Sequence, residues 1–276
     1  MSSAVEPRGW AKTALHVNGW LVYLFFYAPI VLLVLFSFSE SRNVGKWGGF
    51  TLDWYQQFFD SSNARGALSN SVKIALIVTL ISVILGTMAA LSLERFTFRG
   101  KKVFDALLYL PIIIPDVTMA VMLLLFFGQF YDVIEAVFGI QMRKGFGSIS
   151  ISHIAFNISF VSVVVRARLA GMSTDLEEAA VDLYASRWKA FRYVTFPQIL
   201  PGIAGGALLA MTLSLDDVVI TQFVSGPGWT TLPVYVFGLI RKGVTPLINA
   251  VSVVMLLASM LLVVLSLIAQ RSRRTG

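Results

Sequence analysis

Six apolar runs, each close to the length needed to cross a hydrocarbon core, constrain this chain more than any other feature. They span Trp20–Phe38, Ser71–Leu93, Val103–Phe127, Ile149–Leu169, Pro201–Val224 and Leu247–Ala269. The first run is longer than a signal-peptide core and no small-residue cleavage site follows it, so it is expected to stay as an anchor. The fourth is the most polar, because His153 and Asn157 lie inside it. Only 13% of the 276 residues are charged and 57% are apolar, about half the charge of a soluble domain. The predicted fold class is an all-α membrane protein with six transmembrane helices. A net charge of +7 raises the question of nucleic acid, but the charges sit in short loops between apolar runs, which is a topology signal. With no cysteine, disulfides and thiolate metal sites are excluded.

With six spans both termini share a side. The loops on that side hold 14 of the 22 Lys and Arg residues, against 8 on the other. The positive-inside rule therefore predicts cytoplasmic termini. The expected layout is a cytoplasmic segment 1–19, a membrane domain 20–269 and a cytoplasmic tail 270–276. In the outer loop, Phe50–Phe59 carries aromatics at helical spacing. It reads as a short interfacial helix, serving either as an aromatic belt or as a partner-docking element.

The inner loop 170–200 is the most informative segment. Asp175–Ala185 is rich in helix formers, with acids in its first turn and Ser173, Thr174 and Asp175 as possible caps. Ser186 is placed to cap a second helix, which Pro197 and Pro201 are expected to end. Such a helix–turn–helix suits either docking to another protein or resting on lipid.

Asp116, Asp216 and Asp217 lie deep inside apolar runs. Each costs roughly 2.5–3.5 kcal/mol at a bilayer centre and so needs a partner or a watery cavity. Asp116 lies 13 residues past Val103 and Asp216 lies 15 past Pro201, which would place both roughly 20 Å from the inner face. A carboxylate layer at one depth would suit a cationic solute. The same residues also suit the capping of a broken helix, since Pro111 and Pro115 precede Asp116. Gly202, Gly205 and Gly206 form a small-residue step suited to close helix packing. His153 reads as a satisfied buried histidine, and no H-E-x-x-H pattern supports a zinc enzyme.

Glu178-Ala179-Ala180, then Tyr184, then Val194-Thr-Phe-Pro197 resembles the cytoplasmic loop of binding-protein-dependent ABC importer permeases. That pattern runs Glu-Ala-Ala, three residues, Gly, nine residues, Ile-x-Leu-Pro. The spacing matches, with Tyr184, Val194 and Phe196 standing in for Gly, Ile and Leu. A tyrosine at the glycine position would be strained at positive φ. Leu110–Val117, Leu213–Ile220, Phe223–Gly228, Thr231–Pro233 and Gly243–Ala250 are similar to stretches of spermidine/putrescine importer permeases.

The resemblance implies a type I ABC importer permease fold in a bacterial inner membrane. It implies pairing with a second, related permease, two ATPase subunits below and a periplasmic binding protein above. Residues Glu178, Ala179, Ala180, Asp182, Tyr184 and Pro197 would couple the chain to the ATPase. Asp116, Asp216 and Asp217 would line the path of a polyamine. The chain itself is expected to bind no cofactor or metal and to have no catalytic residue, with ATP and Mg on the partner ATPase. No G-x-x-x-x-G-K-S/T phosphate loop occurs in the sequence, in keeping with that division. An ion-coupled secondary transporter, and a same-family importer for another small solute, are the alternatives.

Overall fold

The computed structural model describes residues 9–243 and 245–271. Twelve helices follow one another among them, and the only β contact is an isolated bridge between Ser39 and Phe50. In chain order they are α1 (Gly9–Phe36), α2 (Asp53–Asp60), α3 (Ser62–Arg95), α4 (Lys101–Ile113), α5 (Asp116–Phe138), α6 (Phe146–Leu169), α7 (Asp175–Asp182), α8 (Arg187–Ala190), α9 (Phe196–Asp216), α10 (Val219–Val224), α11 (Leu232–Lys242) and α12 (Pro246–Arg271). A π-helical turn, Phe191–Thr195, joins α8 to α9. Five described helical stretches are long and apolar enough to span a bilayer: α1, α3, α5, α6 and Arg187–Asp216. The apolar stretch Pro246–Leu261 of α12 makes a shorter sixth.

Two compact units are present, one built from the chain up to Ser61 with Leu239–Leu257, the other from Ser62–Gly238 with the chain from Ala258 on. In the first, α1 buries none of its residues within the chain, so its apolar surface is left for lipid. After α1 the chain turns into an aromatic knot. Phe38 stacks on Phe50 at 5.4 Å, Tyr55 donates to or accepts from Ser37 Oγ at 2.7 Å, and Trp54 Nε1 donates to the Ser39 carbonyl at 2.8 Å. The short helix expected in the outer loop is α2.

In the second unit α3, α6 and α9 pack together. Val161 on α6 is fully buried between two glycines, one from each neighbour. A Cβ at Gly86 of α3 would stand 2.7 Å from Val161 Cβ and 3.0 Å from the Ile158 carbonyl oxygen. One at Gly206 of α9 would stand 3.2 Å from Val161 Cγ1, and one at Gly202 would stand 2.9 Å from Arg168 Cβ. The small-residue step is thus a packing face: without a hydrophobic drive between helices in lipid, close approach supplies the dispersion contacts. This explains the polar fourth run. More than half of the apolar window of α6 is buried inside the protein, so Ser148, Ser152, His153 and Asn157 face other helices. A second apolar cluster, including Ile74, Val78, Met119, Phe127, Ile149 and Ile220, joins α3, α5, α6 and α10.

The third and fifth runs are not single helices. Val103–Phe127 is split between α4 and α5 because Ile114, which precedes Pro115, is extended at φ −72°, ψ 129°. The depth counted for Asp116 along one helix from Val103 therefore has no basis. The fifth run breaks at Asp217, where φ −66° and ψ 125° interrupt the helix before α10. The prolines of the inner loop, by contrast, do not end a helix. Phe196 N–H donates to the Phe191 carbonyl, five residues back, and this π register carries the helix across Pro197 into α9.

Gly86→Ala is expected to overpack the α3–α6 contact, costing about 1–3 kcal/mol and lowering the thermal midpoint of the purified protein in detergent. Adding Val161→Ala to the same chain is expected to restore part of that loss; an unchanged midpoint for Gly86→Ala would contradict the packing described.

Candidate functional site

Asp116 and Asp217 each stand at the N-terminal end of a helix that resumes after a break. Asp116 is the first residue of α5, and its carboxylate is exposed. A negative charge is favoured there by the helix dipole. Asp217 is half-buried, and its two carboxylate oxygens take up the free N–H groups at the start of α10. Oδ1 accepts from Ile220 N at 3.2 Å, while Oδ2 accepts from Thr221 N and Thr221 Oγ1, both at 2.7 Å. This is the capping arrangement that a broken helix requires.

His153 completes the arrangement from α6. It is 2% exposed, with Nδ1 2.9 Å from Ser214 Oγ and Nε2 3.2 Å from Asp217 Oδ2 and 3.0 Å from Thr221 Oγ1. With the proton on Nε2, the imidazole donates toward Asp217 and Thr221 and accepts the Ser214 hydroxyl at Nδ1. One side chain thereby ties the end of α9, the break and the start of α10 to α6. Such partners offset the cost of burying a polar group in the membrane. The sequence held a signal for this set: Ser214, Asp217 and Thr221 are spaced three and four apart, as groups on one helical face are.

Asp216 is placed differently from its neighbour. It is the last residue of α9, it is exposed, and it makes no hydrogen bond or ion pair with any described residue. The same holds for Asp116. Of the three membrane acids, one is consumed by structure and two are left with unpartnered carboxylates.

The inner loop folds as two short helices joined by a turn. Thr174 precedes α7 but makes no side-chain cap, whereas Ser186 caps α8 by accepting from Lys189 N at 3.3 Å. The end of α7 is a Schellman turn: Tyr184 N donates to the Val181 carbonyl at 2.9 Å and Ala185 N to the Ala180 carbonyl at 3.0 Å. Tyr184 occupies the position that this motif reserves for glycine. At φ 62° it is the one described non-glycine residue with positive φ. Its side chain is 98% exposed, and Leu183, Trp188 and Tyr193 are exposed around it. Glu178, Ala179, Asp182 and Pro197 are also exposed, while Ala180 is half-buried.

Residues not singled out from sequence hold this segment in place. Glu177 Oε1 accepts from Arg95 Nη2 at the end of α3 at 3.0 Å and from the Thr195 hydroxyl in the π turn. The neighbouring Glu94 accepts from Arg166 Nε at 2.9 Å, and Arg166 also reaches Asp105 on α4. No local spacing announces these contacts, since 82 residues separate Arg95 from Glu177. Among the described residues, no group of three His, Cys, Asp or Glu side chains is placed to hold a metal.

Residues 82–272 match the family model described as binding-protein-dependent transport system inner membrane component. The chain is 38% identical over 251 residues to the spermidine/putrescine transport system permease protein PotC of Haemophilus influenzae, covering 91% of this chain and 94% of that one. It is 41% identical over 237 residues to the putrescine transport system permease protein PotI of Escherichia coli, covering 86% and 83%. In fold it is similar to the crystal structure of a bacterial ABC transporter involved in the import of the acidic polysaccharide alginate, with a TM-score of 0.79, 19% identity and 97% and 96% coverage.

A left-handed backbone costs a residue with a Cβ about 1 kcal/mol or more relative to glycine. Hydrogen exchange at the amides of Ala185 and residue 184 is therefore expected to be about fivefold slower in Tyr184→Gly than in Tyr184→Ala. Equal rates in the two variants would show that the turn is unstrained.

Proposed function

The chain belongs to the family of binding-protein-dependent transport system inner membrane components, with the type I ABC importer permease fold, and from that membership we propose a specific task for it. It moves a polyamine, a putrescine- or spermidine-like cation, from periplasm to cytoplasm by alternating access. It does so as one of two permease subunits, the other a related but different chain. A periplasmic binding protein delivers the solute, and two ATPase subunits bind and hydrolyse ATP with Mg. This chain performs no catalysis of its own.

The observation that carries the solute class is the pair of unpartnered carboxylates, Asp116 at the start of α5 and Asp216 at the end of α9. A polyamine entering a membrane path loses water from its ammonium groups, and carboxylates are the groups that replace it. The names of the similar proteins point the same way. The membership in an importer family weighs against ion-coupled secondary transport. Asp217, bound into the start of α10, serves the path by holding its wall.

The coupling role falls to residues 170–200. Glu178, Ala179, Ala180, Asp182, Tyr184 and Pro197 form the surface offered to the ATPase, with Leu183 and Trp188 adding exposed apolar area beside them. An apolar patch of this kind, outside the spans, favours a protein partner over water. The loop charges support a cytoplasmic side for this surface and for both termini, with segment 1–19 and tail 270–276 there. Residues 1–8 and 272–276 of those two segments lie outside the described residues. Closure of the ATPase pair then moves α7, and the packed helices follow as rigid bodies.

Asp116→Asn and Asp216→Asn are each expected to raise the KM for putrescine uptake about tenfold, the loss of roughly 1.4 kcal/mol of charge-assisted binding, at normal membrane abundance. Unchanged uptake in both variants would overturn the assignment of these two residues to the path.

A further inference from the structure

If α7 receives the ATPase stroke, something must carry that movement from an exposed eight-residue helix into the spans. Two groups meet at one carboxylate oxygen of Glu177. Arg95, the last residue of α3, donates to it at 3.0 Å, and Thr195, itself 2% exposed, donates to it from the π turn at the foot of α9. Glu177 is therefore tied both to α3 and to the start of α9. These are two of the three helices that pack through Gly86, Val161 and Gly206. The third, α6, is tied to the same end of α3 by Arg166 and Glu94, at 2.9 Å.

We propose that Glu177 and Arg95 form the joint that passes movement of α7 into the α3–α6–α9 bundle, and that they set how tightly ATP hydrolysis is coupled to solute movement. The inference rests on the reading of α7 as the element that meets the ATPase. Both side chains are partly exposed, at 27% and 20%, and an ion pair with that exposure adds little to fold stability. Its loss is therefore expected to be felt in transmission rather than in folding. The adjacent π turn favours the same role. Such turns are frequent at functional sites, and this one ends on Thr195, the residue that Glu177 holds. The pair's positions are those of a strut: one end sits on the moving segment and the other on the final residue of a 34-residue helix.

The test uses the full complex, with binding protein and ATPase subunits, in proteoliposomes. It measures ATP hydrolysed per radiolabelled putrescine imported. Glu177→Gln and Arg95→Gln are each expected to raise that ratio about fivefold or more, the range of a modest coupling energy. The exchanged pair, Arg95→Glu with Glu177→Arg, is expected to recover most of the wild-type ratio. Glu94→Gln, which leaves the tie to α7 intact, is expected to keep it. An unchanged ratio in both single variants, an exchange no better than the singles, or an equal rise in Glu94→Gln would each overturn the proposal. Loss of assembly in the singles is judged by the same exchange: recovery supports the joint, and no recovery overturns it. A wild-type complex that imports nothing with ATP would instead overturn the reading beneath, along with the joint.

Discussion

Val161, wedged between Gly86 and Gly206, is the contact on which the rest of the membrane core depends. In water, apolar side chains drive helices together; in lipid that drive is gone, and closeness must replace it. Glycines on α3 and α9 let α6 approach until its valine has no free space. The chain can then afford polar residues on α6, because that helix meets protein on most sides. His153 and Asn157 are a consequence of this packing.

One of them, His153, in turn supports a broken helix. A break within a membrane exposes backbone N–H groups that lipid cannot satisfy. At the α9–α10 break Asp217 takes up two of them, and His153 and Thr221 hold the carboxylate in place. At the α4–α5 break Pro115 removes one donor outright, and Asp116 sits where the helix dipole favours its charge. Breaks of this kind are where membrane transporters bring polar groups to a solute path. At the other end of α3, two separate ion pairs stand side by side: Glu177 of α7 on Arg95, and Arg166 of α6 on Glu94. Core packing, polar breaks and the charged end are thus continuous within the α3–α6–α9 bundle.

Much of this was legible in the sequence, and the failures have physical causes. The run Ile149–Leu169 lies within α6, and the cap at Ser186 formed as its residue type predicted. The third run was misjudged because apolar composition continues through Ile114 and Pro115 while the backbone does not. Pro197 and Pro201 were expected to stop a helix, yet a π register absorbed the first of them. Hydropathy also gave no warning of α11, which falls between the fifth and sixth apolar runs. The strain at Tyr184 was readable because it depends on one backbone angle at one motif position. The pairing of His153 with Ser214 and of Glu177 with Arg95 was not, because hydrogen bonds across 61 and 82 residues leave no local pattern at the histidine or the glutamate.

The central claim is that this chain is one of the two permease subunits of an ATP-driven importer for a polyamine. Reconstitution with its permease partner, ATPase subunits and binding protein tests it most directly, by following radiolabelled putrescine into liposomes. Uptake is predicted only when ATP and the binding protein are both present, and is predicted to stop with a non-hydrolysable ATP analogue. Uptake driven by an imposed proton or sodium gradient, with no ATP in the system, would contradict the account.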